Sequence, residues 1–199
     1  WYVPHDVKSL INLIGERQFI DRLNAGFATS EKVSFNALGD NMGAYPINHG
    51  NETNMQAAYL FSYTSEPWHT QKWARAIQEK YYGMGPRDAY PGDEDQGQMS
   101  SWYILSSIGL FQMDGGCSKD PVWLLGSPRF DRVEILLDNT YYSGKKLIIK
   151  AENVSKDNCY IQYVRFNNKR LSNNYIEWSK LKKGGTLHFI MGDRPNPNE

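Results

Sequence analysis

Gln98-Met-Ser-Ser-Trp-Tyr-Ile-Leu-Ser-Ser-Ile108 is the last helical pattern in the chain, and Val122-Trp-Leu-Leu125 is the first strand-like run. In the first, Met99, Trp102, Tyr103, Leu105 and Ile108 recur at the spacing of one helix face. In the second, apolar residues crowd into a short run bounded by turn residues. The chain changes character between them, near residue 115, and that change makes the fold α+β.

Upstream of the change everything reads as helix and loop. Val7, Leu10, Ile11 and Ile14 mark one face, and Gly15 ends it. Phe19, Ile20, Leu23 and Phe27 mark the next. Residues 28–50 are polar and broken by Gly39, Gly43 and Pro46, so they read as a long loop, which in a compact domain is usually functional. A third helix is expected over about 54–63, and a fourth from Pro67 to about Tyr81, with proline suited to its first turn. Gly83, Gly85, Pro86, Pro91 and Gly92 make a second long loop. Short helices joined by alternating short and long connections fit helical hairpins of an α/α barrel, with the long loops gathered at one end.

Downstream, Val122–Leu125, Val133–Leu137, Lys146–Ala151, Cys159–Phe166, Tyr175–Trp178 and Thr186–Met191 read as strands, separated by turn signals such as Gly126-Ser-Pro128 and Gly184-Gly185. The expected organisation is therefore residues 1–118 as helical hairpins and residues 119–199 as an antiparallel β lobe packed on them.

Composition narrows the function. Lys and Arg number 22 and Asp and Glu number 22, for a net charge of zero. That balance argues against a nucleic-acid partner, which needs a clustered basic excess. No apolar run approaches the length of a membrane span. The opening Trp1-Tyr-Val-Pro-His-Asp6 has no Met and no basic-then-apolar leader, so the chain reads as part of a longer polypeptide. Cys117 and Cys159 are too few for a disulfide framework or a zinc site. Aromatic residues reach 14% of the chain, which suits both cores and stacking on sugar faces.

Three constellations can carry chemistry. Gly92-Asp-Glu-Asp-Gln-Gly-Gln98 sets three consecutive carboxylates between glycines, just before an apolar helix. Their mutual repulsion needs relief from water, a cation or a helix N-terminus. An EF-hand loop is excluded: glycine falls one position early, at Gly97, and Ile104 stands where the bidentate Glu belongs. His49-Gly-Asn-Glu-Thr53 enters the third helix with hard oxygen donors of the kind calcium takes, although Asn51 as a cap and Glu52 as a dipole partner serve the same pattern. Asn51-Glu-Thr53 and Asn153-Val-Ser155 are formal glycosylation sequons. Pro4-His5-Asp6 suits a helix start. Nucleophile elbows, phosphate-binding loops and dinucleotide fingerprints are missing from the sequence, which leaves hydrolysis by carboxylates.

Val3-Pro-His-Asp-Val7, His49-Gly-Asn-Glu52 and Gly92-Asp-Glu-Asp-x-Gly-Gln-Met-Ser-x-Trp-Tyr103 together resemble glycoside hydrolase family 92. So do Gly126-Ser-Pro128, Ala151-Glu-Asn153, Tyr160-Ile-Gln162, Gly184-Gly185 and Met191-Gly192, in order along the chain. The resemblance implies a calcium-dependent, inverting exo-α-mannosidase acting on mannose-containing glycans. The fold would be an amino-terminal β-sandwich followed by an (α/α)6 barrel, with this chain as the last hairpins of the barrel and a β elaboration. It implies the general base at Asp93 and Asp95, a Ca2+ site at Asn51, Glu52 and Asp95, and sugar contacts at His5, Asp6 and Glu94. The family's general acid, a Glu in a Glu-Gly-Asn motif, is expected upstream of Trp1, in another part of the same polypeptide. Thr53 stands where the family often has Pro. The resemblance also implies a secreted, periplasmic or cell-surface location. Two other readings stay open at this level: a related α/α-barrel glycosidase acting on glucosides without calcium, and a non-catalytic sugar-binding β module using Trp178 and Tyr175.

Overall fold

In a computed structural model, residues 1–37, 43–89, 91–92, 94 and 96–197 are described, and residues 38–42, 90, 93, 95, 198 and 199 are not. The described chain divides into two compact units, Trp1–Ile104 and Leu105–Glu199.

The first unit is helical. Helices α1 (Val7–Ile14) and α2 (Glu16–Ser30) meet at Gly15. Asp6 occupies the N-cap of α1 and accepts a bond from the Ser9 amide at 3.1 Å, which satisfies one of the orphan donors of the first turn. A four-residue helix α3 (Glu52–Met55) runs directly into a 3₁₀ segment, Gln56–Tyr63. Eight residues is long for 3₁₀ geometry. Burial of every residue from Gln56 to Ser62 accounts for its persistence, because packing on all sides outweighs the poorer backbone bonds. Helix α4 (Trp68–Lys80) starts on Pro67, as expected. Helix α5 (Gln98–Ser107) follows the second long loop, and the division between the units falls within it.

Aromatic side chains build the core of this unit. Phe27 from α2 stacks on Trp73 from α4, with centroids 5.3 Å apart, and lies 5.9 Å from Phe61 of the 3₁₀ segment. Phe19, Leu23, Phe35 and Ile47 complete it, all fully buried. Each such side chain contributes roughly 1.5–3 kcal/mol through removal from water.

The second unit holds two sheets. One is β1 (Leu110–Phe111), β2 (Val122–Leu125) and β7 (Tyr175–Glu177), all antiparallel. The other has the order β3-β4-β8-β5-β6, from β3 (Arg132–Leu136), β4 (Lys146–Glu152), β5 (Tyr160–Phe166), β6 (Lys169–Arg170) and β8 (Gly185–Gly192). A short helix α6 (Trp178–Leu181) follows β7. Leu147, Ile149 and Ala151 from β4, and Leu187, Phe189 and Met191 from β8, alternate onto one buried face and meet Leu110, Leu125 and Ile176 in a single cluster. Ile161 and Val164 of β5 join them three residues apart, an odd spacing. A register irregularity between Ile161 and Tyr163 keeps both on the buried face.

The expectation of an antiparallel lobe needs correction at one pair. β4 and β8 run parallel, from Leu147 opposite Gly185 to Glu152 opposite Ile190. Alternation in sequence reports which face a residue takes, not strand direction. Direction follows from the connection, and here β5, β6, β7 and α6 lie between the two strands, ample for the crossover a parallel pair needs. Trp178, a candidate stacking surface in the β-module reading, packs within the unit against Trp123 and Tyr142 at 6.2 and 5.7 Å.

Candidate active site

Two loops of the helical unit carry the candidate residues Asn51, Glu52 and Glu94, and both are held from within. In the first, His49 is fully buried, and its amide donates to the Phe35 carbonyl at 2.8 Å. The Ile47 amide donates to the Ser30 hydroxyl at 2.9 Å, and the Asn48 side-chain amide to the Ala37 carbonyl at 3.1 Å. The Asn51 amide donates to the Asn48 carbonyl at 3.1 Å, closing a tight turn over Gly50. Asn51 sits at the N-cap of α3, but its side chain makes no capping bond. Its carbonyl oxygen instead accepts from the Thr53 hydroxyl at 3.2 Å. Glu52 opens the first turn of α3.

In the second loop the Gly83 amide donates to the Asp88 carbonyl at 2.7 Å, and the Gly85 amide to the Asp88 carboxylate at 2.7 Å. Further on, Glu94 takes a left-handed conformation at φ 65° and folds back over the start of α5. Its backbone carbonyl accepts from the Met99 amide at 3.3 Å, and its Oε1 accepts from the Ser100 amide at 3.4 Å. Its other carboxylate oxygen, Oε2, is buried without a hydrogen-bond partner among the described residues.

The loops meet at a pair of glycines. A Cβ placed on Gly50 would stand 2.5 Å from the Tyr81 hydroxyl and 3.3 Å from the Pro91 carbonyl. A Cβ on Gly92 would stand 3.1 Å from the same hydroxyl and 3.1 Å from the Met99 sulfur, at a φ of 139° that disfavours side chains. Tyr81 therefore lies between the two turns, and only glycine allows both to close on it. Gln98 adds a bond across them, its side-chain amide donating to the Glu52 carbonyl at 3.4 Å.

Beneath this seam lies an aromatic cage. The His49 ring is 4.3 Å from the Trp102 ring, 4.9 Å from Tyr81 and 5.5 Å from Tyr82, all edge-on. Its Nε2 is 2.9 Å from the Tyr82 hydroxyl, which itself donates to the Met99 carbonyl at 3.1 Å. A phenol has one proton to give, so the Tyr82 oxygen accepts from His49, and Nε2 carries the imidazole proton. Burial depresses the His49 pKa to about 3, which keeps the ring neutral. Burial above all raises the Tyr82 phenol, with Tyr81, Glu94 and Tyr103 adding to it, so the hydroxyl stays protonated.

The expected site residues are thus partly assembled. Asn51 and Glu52 are brought against the loop that spans Pro91, Glu94 and Gln98. Asp93 and Asp95 lie outside the described residues. His5 and Asp6 stand exposed at the start of α1. There the Asp6 carboxyl is held below its ordinary value by hydrogen bonds from the Ser9 hydroxyl and amide. Among the described residues, no three His, Cys, Asp or Glu side chains cluster as a metal site. A calcium site also draws amide and backbone carbonyl oxygens, however. Asn51 and Glu52 offer hard oxygens of the kind that fit Ca2+, and the Glu94 oxygen left without a hydrogen-bond partner lies on the neighbouring loop. Sequence reasoning passed over Tyr81 and Tyr82. Their only trace was two adjacent aromatics at the end of a helix, a pattern common in ordinary cores.

Comparison with known proteins agrees across the chain. Residues 1–193 match the sequence family described as the glycosyl hydrolase family 92 catalytic domain. A family 92 α-mannosidase from Bacteroides thetaiotaomicron is similar over 100% of this chain, at 32% identity and a TM-score of 0.84, with 25% of its own length covered. A family 92 inverting mannosidase from the same organism is similar over 99% of the chain, at 31% identity and a TM-score of 0.79, with 27% of its length covered. An uncharacterised secreted glycosidase of Arthroderma benhamiae is 29% identical over 195 residues, which is 96% of this chain and 22% of that protein. The chain thus spans about a quarter of the length of the proteins it matches.

Proposed function

This chain belongs to glycosyl hydrolase family 92, and from that membership we propose that it is the carboxyl-terminal part of a calcium-dependent, inverting exo-α-mannosidase that removes terminal α-mannosyl residues from glycans. The observation that carries the reading is the closure of the Gly50-Asn51-Glu52 turn onto the Pro91-Gly92 turn around Tyr81. It joins a hard-oxygen donor set to the acidic loop.

Inversion requires an acid on one side of the glycosidic bond and a base on the other, about 6.5–9.5 Å apart, with a water between the base and the sugar. On this reading Asp93 and Asp95 form the base side: one carboxylate takes a proton from the water as its oxygen bonds to the anomeric carbon, and the bond to the leaving oxygen breaks. The proton for that oxygen comes from a Glu elsewhere in the same polypeptide. Asn51, Glu52 and Asp95 would hold Ca2+, and its charge would favour a flattened sugar ring and keep neighbouring carboxylates ionised. Glu94, His5 and Asp6 take the sugar-facing positions. Residues 1–118 are then the closing hairpins of an (α/α)6 barrel, and residues 119–199 an elaboration on it. The secreted relative supports a location outside the cytoplasm, and no helix among the described residues is long and apolar enough to cross a membrane.

The test is hydrolysis of an aryl α-mannoside by the full-length protein, with and without a calcium chelator. Activity is expected to collapse in chelator and to fall by at least about 10³-fold in Asp93→Ala, Asp95→Ala, as removal of a general base and its neighbour should do. Full activity of the double variant would sink the assignment.

A further inference from the structure

Besides the closure on Tyr81, the two halves of the proposed site are linked by a hydrogen-bonded relay through the Tyr82 hydroxyl. We propose that the Tyr82 hydroxyl is a positioning group that sets the distance between the Asn51-Glu52 turn and the acidic loop, and through that distance sets the affinity of the site for calcium. The inference rests on the calcium-dependent reading of the site and adds to it a residue with no contact to metal or sugar.

Tyr82 stands just beyond the carboxyl end of α4, so its ring is fixed by a thirteen-residue helix. The ring stacks on Trp102 of α5 at 6.0 Å and 7°. Its hydroxyl accepts from His49 Nε2 at 2.9 Å, two residues before Asn51. The same hydroxyl donates to the Met99 carbonyl at 3.1 Å. The amide of that same Met99 holds the Glu94 carbonyl at 3.3 Å, in the middle of the acidic triplet. One oxygen thus ties His49 to Met99, and each of those residues is bonded or adjacent to one half of the site.

This tie differs in kind from ordinary packing. The cage around His49 would hold its ring without a hydroxyl, since Trp102 and Tyr81 remain. What the packing on Tyr81 and the cage does not supply is a buried hydrogen-bonded link between the two loops: the Gln98 bond to Glu52 is 3.4 Å and exposed. A metal site is sensitive to that separation because its donors come from both loops. Groups that orient metal ligands without touching the metal commonly change affinity by about 10–100-fold when removed.

The experiment measures calcium-induced thermal stabilisation of the full-length protein, without substrate, in wild type, Tyr82→Phe, His49→Gln and His49→Leu. Tyr82→Phe is expected to raise the calcium concentration at half-maximal stabilisation by about tenfold or more. Its melting temperature in chelator is measured separately, so a general loss of stability is read apart from a loss of affinity. His49→Gln, whose amide N–H can reach the Tyr82 oxygen, is expected to stay closer to wild type than His49→Leu. If wild type responds to calcium and Tyr82→Phe shows the same midpoint, or if the two His49 variants shift equally, the positioning role is overturned and the calcium reading stands. A wild type that shows neither calcium stabilisation nor chelator sensitivity overturns the calcium reading and this inference together.

Discussion

Single atoms decide the site. The Tyr81 hydroxyl fills the space that a methyl group on Gly50 would need, and the Pro91 carbonyl closes the other side. Gly50→Ala is therefore expected to force the two turns apart and to cost about 1–3 kcal/mol, as overpacking does. Gly43→Ala, where a Cβ would meet nothing within 4 Å, is expected to be close to neutral. Thermal denaturation of the pair separates crowding from the general effect of adding a methyl. At this scale the motifs offered Asn51, Glu52 and the acidic triplet as candidates; Asn51, Glu52 and Glu94 lie on the two loops that close on Tyr81, and Asp93 and Asp95 lie outside the described residues. The Tyr81 wedge and the Tyr82 tie were not legible. A tyrosine at a helix end carries the same letter whether its hydroxyl meets water or, like that of Tyr82, joins residues 17 and 33 positions away.

Elements were legible where a period existed to be read. The strands of the second unit emerge from alternation, and β4 and β8 place Ile149 and Phe189 at full or nearly full burial as that alternation requires. Their replacements should scale with the cavity left: Ile149→Val at about 0.5–1.5 kcal/mol and Phe189→Ala at about 3–5 kcal/mol. Denaturant midpoints at unchanged slope would check the ranking. Two-residue strands such as β1 and β6 offer no period, and the pattern missed them. The 3₁₀ segment Gln56–Tyr63 read as a plain helix, because burial on every side erases the face that distinguishes one spiral from another. Strand direction was likewise hidden, since it is a property of connections rather than of residues.

At the scale of the molecule, the two units have unequal tasks. The helical unit carries the motifs, while the β unit buries a core of its own around β8. That strand lies third of five in its sheet, between β4 and β5. A stop after Lys183 removes it and is expected to abolish the sheet, seen as rapid proteolysis of the second unit. A stop after Arg194 keeps both β8 and the Gln162 bond to the Arg194 carbonyl at 2.9 Å, and is expected to be tolerated. The placement also orders events in time. A ribosome makes β8 after the four other strands of its sheet, yet the sheet has no middle without it. Until then β4 and β5 each present a bare edge, open to pairing with any other chain. Growth from the amino end cannot build this sheet stepwise; it must wait for its final strand and close around it at once, a long-range step that should make the second unit the slower to fold.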